Sequence, residues 1–486
     1  MRYSAALPSH VYHSAKQHLL RPDRQEDLCF ALWSPSVGTD RTTALIRDII
    51  LPRPGERRVH GNASFEPQYF ERAVSEALRN NSGLAFMHSH LGPGWQDMSR
   101  DDIEAEKRLA PRAKGATSLP IVGLTLGTDG AWSARFWEKV GPKRFERQWC
   151  ECTRVVGERL AVTYEDRILP PPRFRPELSR TVSAWGTDAQ ATLARLKIGV
   201  IGAGSVGFIV AEALARMGVA NIRLMDFDAV EIHNLDRLLY ASHRDVHIAK
   251  VSVLGRALRR SATASPFTVD ELEYSVVEEN GFRAALDCDV LFSCVDRPWP
   301  RSALNLIAYA HLIPVIDGGV AVRMKSNGRG LSHADIRSHV AAPSRRCLEC
   351  LGQYSPGLVS TEREGYLDDP HYIAGLPDDH PIKRNENVFA FGLSAASLEV
   401  FQLLSMVIAP LGMGNPGAQM YHFVNGRMDI EAKSECDSTC VFPKMLAMGD
   451  RAGVEVTAPH RIASDARTQR RRWSAGWRKF LWSFYR

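Results

Sequence analysis

Lys197-Ile198-Gly199-Val200-Ile201-Gly202-Ala203-Gly204-Ser205-Val206-Gly207 decides how this chain is read. An apolar run leads straight into Gly-x-Gly-x-x-Gly. A helix-forming segment then continues to Met217, and a second, mostly apolar run, Asn221-Ile222-Arg223-Leu224-Met225, ends on Asp226-Phe227-Asp228. Strand, glycine turn, helix, strand and acid in that order make the first βαβ unit of a nucleotide-binding fold. Gly202 permits the tight turn, Gly204 lets the backbone approach a phosphate chain, and Gly207 lets the helix lie close on the strand. The helix N-terminus adds unpaired N–H groups and a partial positive charge.

Alone, this turn also suits a nicotinamide dehydrogenase with Asp226 on a ribose hydroxyl, or no ligand at all. The downstream residues separate these cases. Asp226 runs on through Asn234-Leu235-Asp236-Arg237 to Lys250, and Ser293-Cys294-Val295-Asp296 closes a later apolar run. A hydride-transfer site needs no Arg, Lys and extra Asp near the phosphates. A site that cleaves ATP needs cations to steady the phosphate charge and a carboxylate to hold Mg²⁺. Strand and helix patterns alternate onward through 289–296 and 314–322, as a mostly parallel sheet requires.

With those residues in hand, 175–445 resembles the adenylation domain of the ubiquitin-activating superfamily, including the ThiF/MoeB-like enzymes. The resemblance implies a Rossmann-like fold in which Asp226 binds the ribose, Asn234 and Arg237 contact ATP phosphates, Lys250 sits on the phosphates and Asp296 coordinates Mg²⁺. Arg180, in Glu177-Leu178-Ser179-Arg180, stands where the family has an arginine that reaches a partner subunit's ATP. A homodimer is implied. The chain departs from the family pattern in reading Asn234-Leu235-Asp236-Arg237-Leu238 where Asn-Leu-Asn-Arg-Gln is usual.

The N-terminal 140 residues carry a different constellation. Runs at 28–33, 44–51, 84–87, 119–126 and 131–137 read as strands and 67–79 as a helix, giving a small α/β domain. On an extended 84–90, His88 and His90 project to one face. Ser99-Arg100-Asp101-Asp102 opens a helical run with eight residues between His90 and Ser99, and Gln25-Glu26-Asp27 precedes the first of those strands. Two imidazoles and a carboxylate leave Zn²⁺ an open position for water, and a second carboxylate can take the proton. Ser99 and Asp102 equally make a helix capping box with no metal. The set resembles the JAB/MPN (JAMM) metalloprotease motif. By that resemblance His88, His90 and Asp102 hold zinc, Glu26 activates water and Ser99 stabilises the oxyanion. The usual spacing between the second His and the Ser is seven; with eight here, Asp101 is the alternative ligand and Asp102 the preferred one.

Nine cysteines do not suit a disulfide framework. Cys347-x-x-Cys350 and Cys436-x3-Cys440 supply four soft ligands for a second, structural zinc, which also fits a reducing, cytoplasmic setting. If all four are ligands, no cysteine after Asp296 is left for a thioester; Cys347 is the candidate exception. The net charge of +6 is local, because residues 461–486 hold eight Lys/Arg and one Asp, leaving 53 basic against 54 acidic residues elsewhere. No nucleic-acid partner is therefore expected. Within 470–486, Trp473, Trp477, Phe480 or Leu481, and Phe484 fall on one helical stripe between arginines, suited to docking on the body, a partner or an anionic membrane surface. The apolar stretch 393–413 is interrupted by Glu399 and reads as a buried helix.

The expected organisation is a JAB/MPN-like α/β domain over 1–143, a connecting helix and Pro-rich linker over 144–172, a Rossmann-like adenylation domain with a mostly parallel sheet over 173–445, and a basic aromatic tail over 446–486. The two resemblances together imply an enzyme that adenylates the C-terminal glycine of a ubiquitin-like protein and processes or deconjugates the same protein, with a conjugating enzyme as a further partner. Sulfur-carrier activation, small-molecule carboxylate adenylation and a catalytically silent scaffold are the competing readings.

Overall fold

Arg2–Pro8 (β1) and Ser9–Leu19 (α1) begin a nine-stranded mixed sheet. It continues with Leu28–Val37 (β2), Arg41–Ile50 (β3), a separate hairpin of Arg57–His60 (β4) and Asn62–Phe65 (β5), Pro67–Arg79 (α2), Gly83–Ser89 (β6), Arg100–Thr117 (α3), Val122–Leu126 (β7) and Trp132–Gly141 (β8). The computed structural model describes residues 1–470 apart from 61, 326–329, 378–382, 384–386, 454–455 and 457–459. Strand β2 is buried on both faces. Leu28, Phe30 and Leu32 pack against Tyr69, Phe70 and Leu109 of α2 and α3, while Cys29, Ala31 and Trp33 meet Val11 and Leu19 of α1. Helices on both faces explain why the strand reads as a continuous apolar run rather than an alternating one. Pro67 at the first turn of α2 supplies a preset φ where no N–H partner is needed.

The connecting helix expected from residue 144 is not formed. That stretch is Arg144–Trp149 (β9), Cys152–Val156 (β10) and Leu160–Tyr164 (β11), and the sheet order is β11-β10-β1-β3-β2-β6-β7-β8-β9. Phe145 and Trp149 fit a period of two as well as a helical one, and tertiary pairing chooses between them: β9 joins β8 antiparallel and β10 lies parallel to β1. The first sheet therefore ends at Tyr164, not at residue 143, and the Pro170-Pro171-Pro172 stretch follows it.

After Ser179–Trp185 (α4) and Thr187–Arg195 (α5) comes the second sheet. Its elements are Lys197–Ile201 (β12), Ser205–Arg216 (α6), Asn221–Met225 (β13), Lys250–Ser261 (α7), Thr268–Leu272 (β14), Glu279–Ala285 (α8), Val290–Ser293 (β15), Pro298–Ala310 (α9), Val315–Met324 (β16), Leu331–Ala341 (β17), Pro356–Arg363 (α10), Pro370–Gly375 (α11), Phe389–Ile408 (α12), Ala418–His422 (β18) and Arg427–Glu431 (β19). The order β14-β13-β12-β15-β16-β17-β18-β19 is parallel through β16 and antiparallel beyond. Strand order reverses direction between β12 and β15, the switch point at which α/β sheets bind ligands. Residues 323–392 hold the eleven-residue β17 as well as α10 and α11. Helix α12 packs on α6 and the sheet, with Glu399 fully buried as its sequence position implied.

The two sheets are joined by a buried polar seam. Arg41 of β3 donates to Asp289 (2.7 Å) and to the Cys288 carbonyl (2.6 Å), with Arg154 completing the cluster 3.6 Å from Asp289. Ser36 Oγ and His311 Nδ1 share a hydrogen bond of 2.8 Å, and Asp287 accepts the Arg41 N–H at 3.0 Å. Residues beyond 445 do not form a free tail at once. Asp450 accepts the Val37 N–H at 3.0 Å, Arg451 donates to Ser82 Oγ at 2.8 Å, and Gly449, at φ +56°, abuts the Pro35 carbonyl where a Cβ would collide. Residues 461–470 are helical, and the aromatic stripe from Trp473 onward lies outside the described residues.

Candidate nucleotide and metal sites

At the switch point the glycine turn is built by contact rather than by flexibility alone. Gly202 adopts φ +98° against the Cys294 carbonyl, and a Cβ on Gly207 would strike the Gly202 carbonyl. A Cβ on Gly204 would meet nothing within 4 Å, so the space above it is open at the N-terminus of α6. Asp226, at the end of β13, accepts the Ala203 N–H (2.7 Å) and the Asp228 N–H (2.7 Å), which ties the acid to the turn. Burial pushes its carboxyl up to about 6, against the pull of Lys250.

Lys250 opens α7 and donates to Asp228 at 2.8 Å. Burial opposes its charge, but Asp226, Asp228 and Asp296 together hold its pKa above the ordinary value. Asp226, Lys250 and Asp296 thus share one electrostatic neighbourhood. Asp296 is exposed and makes no hydrogen bond or ion pair among the described residues. A free carboxylate beside an open glycine cradle and a lysine fits a polyphosphate with Mg²⁺. Asn234 and Arg237 are engaged locally: Asn234 Oδ1 accepts the Glu231 N–H at 3.0 Å, and Arg237 donates to the His233 carbonyl and to Asp236. Arg180 is exposed on α4 without a partner among the described residues. Sequence reasoning passed over Asp228 as the partner that aims Lys250, although its place two residues after Asp226 was the available signal.

In the first domain, β6 brings His88 to its buried end, His90 follows just past the strand, and Asp102 sits in the first turn of α3. Their facing atoms converge: His88 Nε2 to His90 Nε2 is 3.2 Å, His90 Nε2 to Asp102 Oδ2 is 3.2 Å and His88 Nε2 to Asp102 Oδ1 is 3.4 Å. A tetrahedral Zn²⁺ with ligand bonds near 2.05 Å sets its ligand atoms about 3.3 to 3.4 Å apart, so these edges fit. Asp101 is exposed and absent from the cluster, which favours Asp102 in the eight-residue spacing. Glu26 is half-buried and faces the group. Burial lifts its carboxyl above the ordinary range although both imidazoles pull it down. Ser99 caps α3, its Oγ accepting the Asp102 N–H at 3.2 Å while Asp102 accepts the Ser99 N–H at 2.7 Å. Capping box and ligand cluster therefore coexist. Asp102 is held far below the usual carboxylate range; burial opposes this, and bonds from His88 and His90 overcome it.

The loop between His90 and Ser99 is gripped from the linker. Arg167 lies over Trp95 at 4.7 Å and pairs with Asp97, while Trp95 meets Trp149 at 4.8 Å. Nothing in the sequence linked these distant residues.

Cys347, Cys350, Cys436 and Cys440 also converge, with all ligand atoms within 4.8 Å. Cys347 and Cys440 sulfurs are 3.7 Å apart, close to the edge of about 3.8 Å that Zn–S bonds of 2.3 Å require. Backbone N–H groups of Cys347, Cys350 and Asp437 point at sulfurs of the set, as thiolates need. Hydrogen bonding from Cys347 brings Cys436 down to about 5. Cys347 is fully buried among them, a poor position for an attacking nucleophile.

Fold and site define a nucleotide-binding α/β domain with its ligand side at the β12–β15 switch. Residues 178–409, just under half of the chain, match the model of the ThiF family, and they form a ThiF/MoeB-like domain. The chain is 29% identical over 236 residues to tRNA threonylcarbamoyladenosine dehydratase 2 of Saccharomyces cerevisiae, covering 48% of this chain and 51% of that one. It is 28% identical over 165 residues to molybdopterin-synthase adenylyltransferase of Escherichia coli, covering 34% and 63%. Ubiquitin-like modifier-activating enzyme 5 of Xenopus laevis is 30% identical over 118 residues, 22% and 30% of the two chains. The chain thus spans about half the length of the first of these relatives and less than two thirds of the others. The crystal structure of E. coli MccB with ATP superposes with a TM-score of 0.43 at 18% identity, over 55% of this chain and 74% of that one.

Proposed function

We propose that the chain adenylates the C-terminal carboxylate of a ubiquitin-like protein and that its first domain is a JAB/MPN-like zinc peptidase acting on the same partner. The observation that carries the first half is the grouping of Asp226, Lys250 and Asp296 around the open glycine turn of a ThiF/MoeB-like domain. Relatives named an adenylyltransferase and a ubiquitin-like modifier-activating enzyme support the choice of reaction and partner. Asp226 holds the ribose, and the Gly204 cradle and Lys250 take the phosphates. Asn234 and Arg237 turn toward them when the nucleotide enters, and Asp296 is the Mg²⁺ ligand. A carboxylate oxygen of the partner attacks the α-phosphorus, the bond to the pyrophosphate oxygen breaks, and an acyl-adenylate and pyrophosphate result. Exposed Arg180 acts on the nucleotide of a second subunit in a homodimer. With Cys347 buried in a zinc-binding set, the chain's own chemistry ends at the acyl-adenylate, which a conjugating enzyme can consume.

The second half rests on the 3.2 to 3.4 Å edges of His88, His90 and Asp102. When bound there, zinc supplies Lewis acidity to a water molecule. Glu26, half-buried and facing the His88, His90 and Asp102 group, would be the residue to take a proton from that water and pass it to a leaving amine. Ser99 Oγ accepts the Asp102 N–H, so its own hydrogen is free to donate to the oxyanion. The setting is the cytoplasm, where the cysteines stay reduced. The test is incubation with ATP, Mg²⁺ and candidate ubiquitin-like proteins, followed by mass analysis. A gain of one AMP on the partner, lost in Asp296→Ala, is expected; an unmodified partner with every candidate overturns the reading.

A further inference from the structure

The C-terminal segment meets the nucleotide site through one ring. His460 lies 5.7 Å from Phe227 and 5.7 Å from Trp299, centroid to centroid, at interplanar angles of 50° and 63°. Phe227 stands between Asp226 and Asp228 in the segment that follows β13. Trp299 is in the first turn of α9, three residues after Asp296, and its N–H donates to Glu362 at 2.7 Å. One imidazole therefore braces both acid-bearing arms, which are separated along the chain by α7, β14, α8 and β15. Its Nδ1 is buried and has no partner among the described residues. Burial lowers its pKa, so the ring packs as a neutral aromatic.

The following helix, 461–470, is fastened beside the site. Arg467 donates to Glu278 at 2.6 Å and to the Glu273 carbonyl at 2.8 Å, and its guanidinium covers Tyr274 at 4.7 Å. Arg470 Nε donates to Glu273 at 2.7 Å. These acceptors come directly after β14, the strand next to β13, so the helix lies at the ligand-bearing end of the sheet. Ile462 adds a wall to a cavity of about 640 Å³ that also includes Arg297, the neighbour of Asp296.

We propose that residues 460–470 are part of the nucleotide site and that His460 is a positioning residue, fixing Phe227 and Trp299 so that Asp226 and Asp296 face one another across the bound nucleotide. The inference rests on the ATP reading above. A site whose two arms are already braced loses less freedom on binding, and so binds more tightly.

Calorimetric titration of the full chain with ATP·Mg²⁺ tests it. His460→Ala is expected to weaken ATP binding about tenfold, the size of one or two aromatic contacts. His460→Phe, which keeps the ring and loses the nitrogens, stays within about threefold of wild type, while His460→Leu behaves as the alanine variant. Arg467→Ala, which releases the helix from Glu278, weakens ATP in the same direction. Affinity for the protein partner does not change in any of them. Unaltered ATP affinity in His460→Ala or His460→Leu overturns the proposal, as does a phenylalanine variant no better than alanine. Wild-type chain that binds no ATP sinks the adenylation reading itself; wild type that binds beside an unaffected His460→Leu sinks only the brace.

Discussion

At the residue scale, the glycine turn makes a contrast that can be measured. Gly207 is closed in by the Gly202 carbonyl, whereas the space beyond Gly204 is open. Gly207→Ala is therefore expected to cost about 1 to 3 kcal/mol of stability through overpacking, seen as a lower midpoint in urea. Gly204→Ala should fold with little loss yet bind ATP poorly, because its methyl enters the space that the phosphates need. Equal folding and equal ATP affinity in both variants would contradict the assignment. Glu26 offers a second contrast. Glu26→Ala should retain zinc, since His88, His90 and Asp102 are intact, while cleavage of a ubiquitin-like fusion falls by two or more orders of magnitude. Zinc content and hydrolysis measured on one preparation check both halves. Most of these residues were legible from the sequence because their spacing is local. The Gly-x-Gly-x-x-Gly and His-x-His patterns sit on single strands or turns. What spacing could not give was the grip of Arg167 and Trp149 on the loop carrying Trp95 and Asp97, because those residues lie far apart in the chain.

Elements were legible where one period dominated. The helix at Pro67–Arg79 has Tyr69, Phe70, Ala73 and Ala77 on one side, and the sequence placed it with the same bounds. Residues 144–164 misled because Phe145 and Trp149 satisfy two periods, and only pairing with β8, β10 and β1 decides. Strand β17 was hidden for another reason: its charged and polar side chains are carried by neighbours across the sheet, as where Arg337 donates to Asp317 at 2.7 Å. The cysteine cluster ties the segment after β17 to the one after β19. If it holds zinc, the metal closes a long loop and restrains the unfolded chain. Removing zinc with a strong chelator, or making Cys436→Ser, should lower the melting temperature by several degrees while pyrophosphate-forming activity persists at low temperature. An unchanged melting curve would show that the four thiols pack without a metal.

For the whole molecule, the seam between the sheets sets a pH limit that no local pattern announced. His311 is fully buried against Ser36, and burial, helped by Arg283, brings its pKa down from 6.5 to about 3. Between those values the unfolded chain binds the proton and the folded chain does not, so this group's contribution is complete above pH 6.5 and falls as pH drops toward 3. The slope is about 1.4 kcal/mol per pH unit from this one residue. Chemical denaturation at pH 7, 6 and 5 should show it, and His311→Gln should flatten the profile; a parallel fall in that variant would place the sensitivity elsewhere. The same seam holds the two candidate centres in one body, with residues 447–452 returning from the second sheet to lock onto β2.

The most direct measurement of the central claim is ATP–pyrophosphate exchange in the presence of a ubiquitin-like protein ending in glycine. Exchange is predicted with the free C-terminal carboxylate, absent when that carboxylate is amidated, and reduced at least a hundredfold in Asp296→Ala. Exchange that proceeds equally with no protein partner, or with the amidated one, would contradict the account.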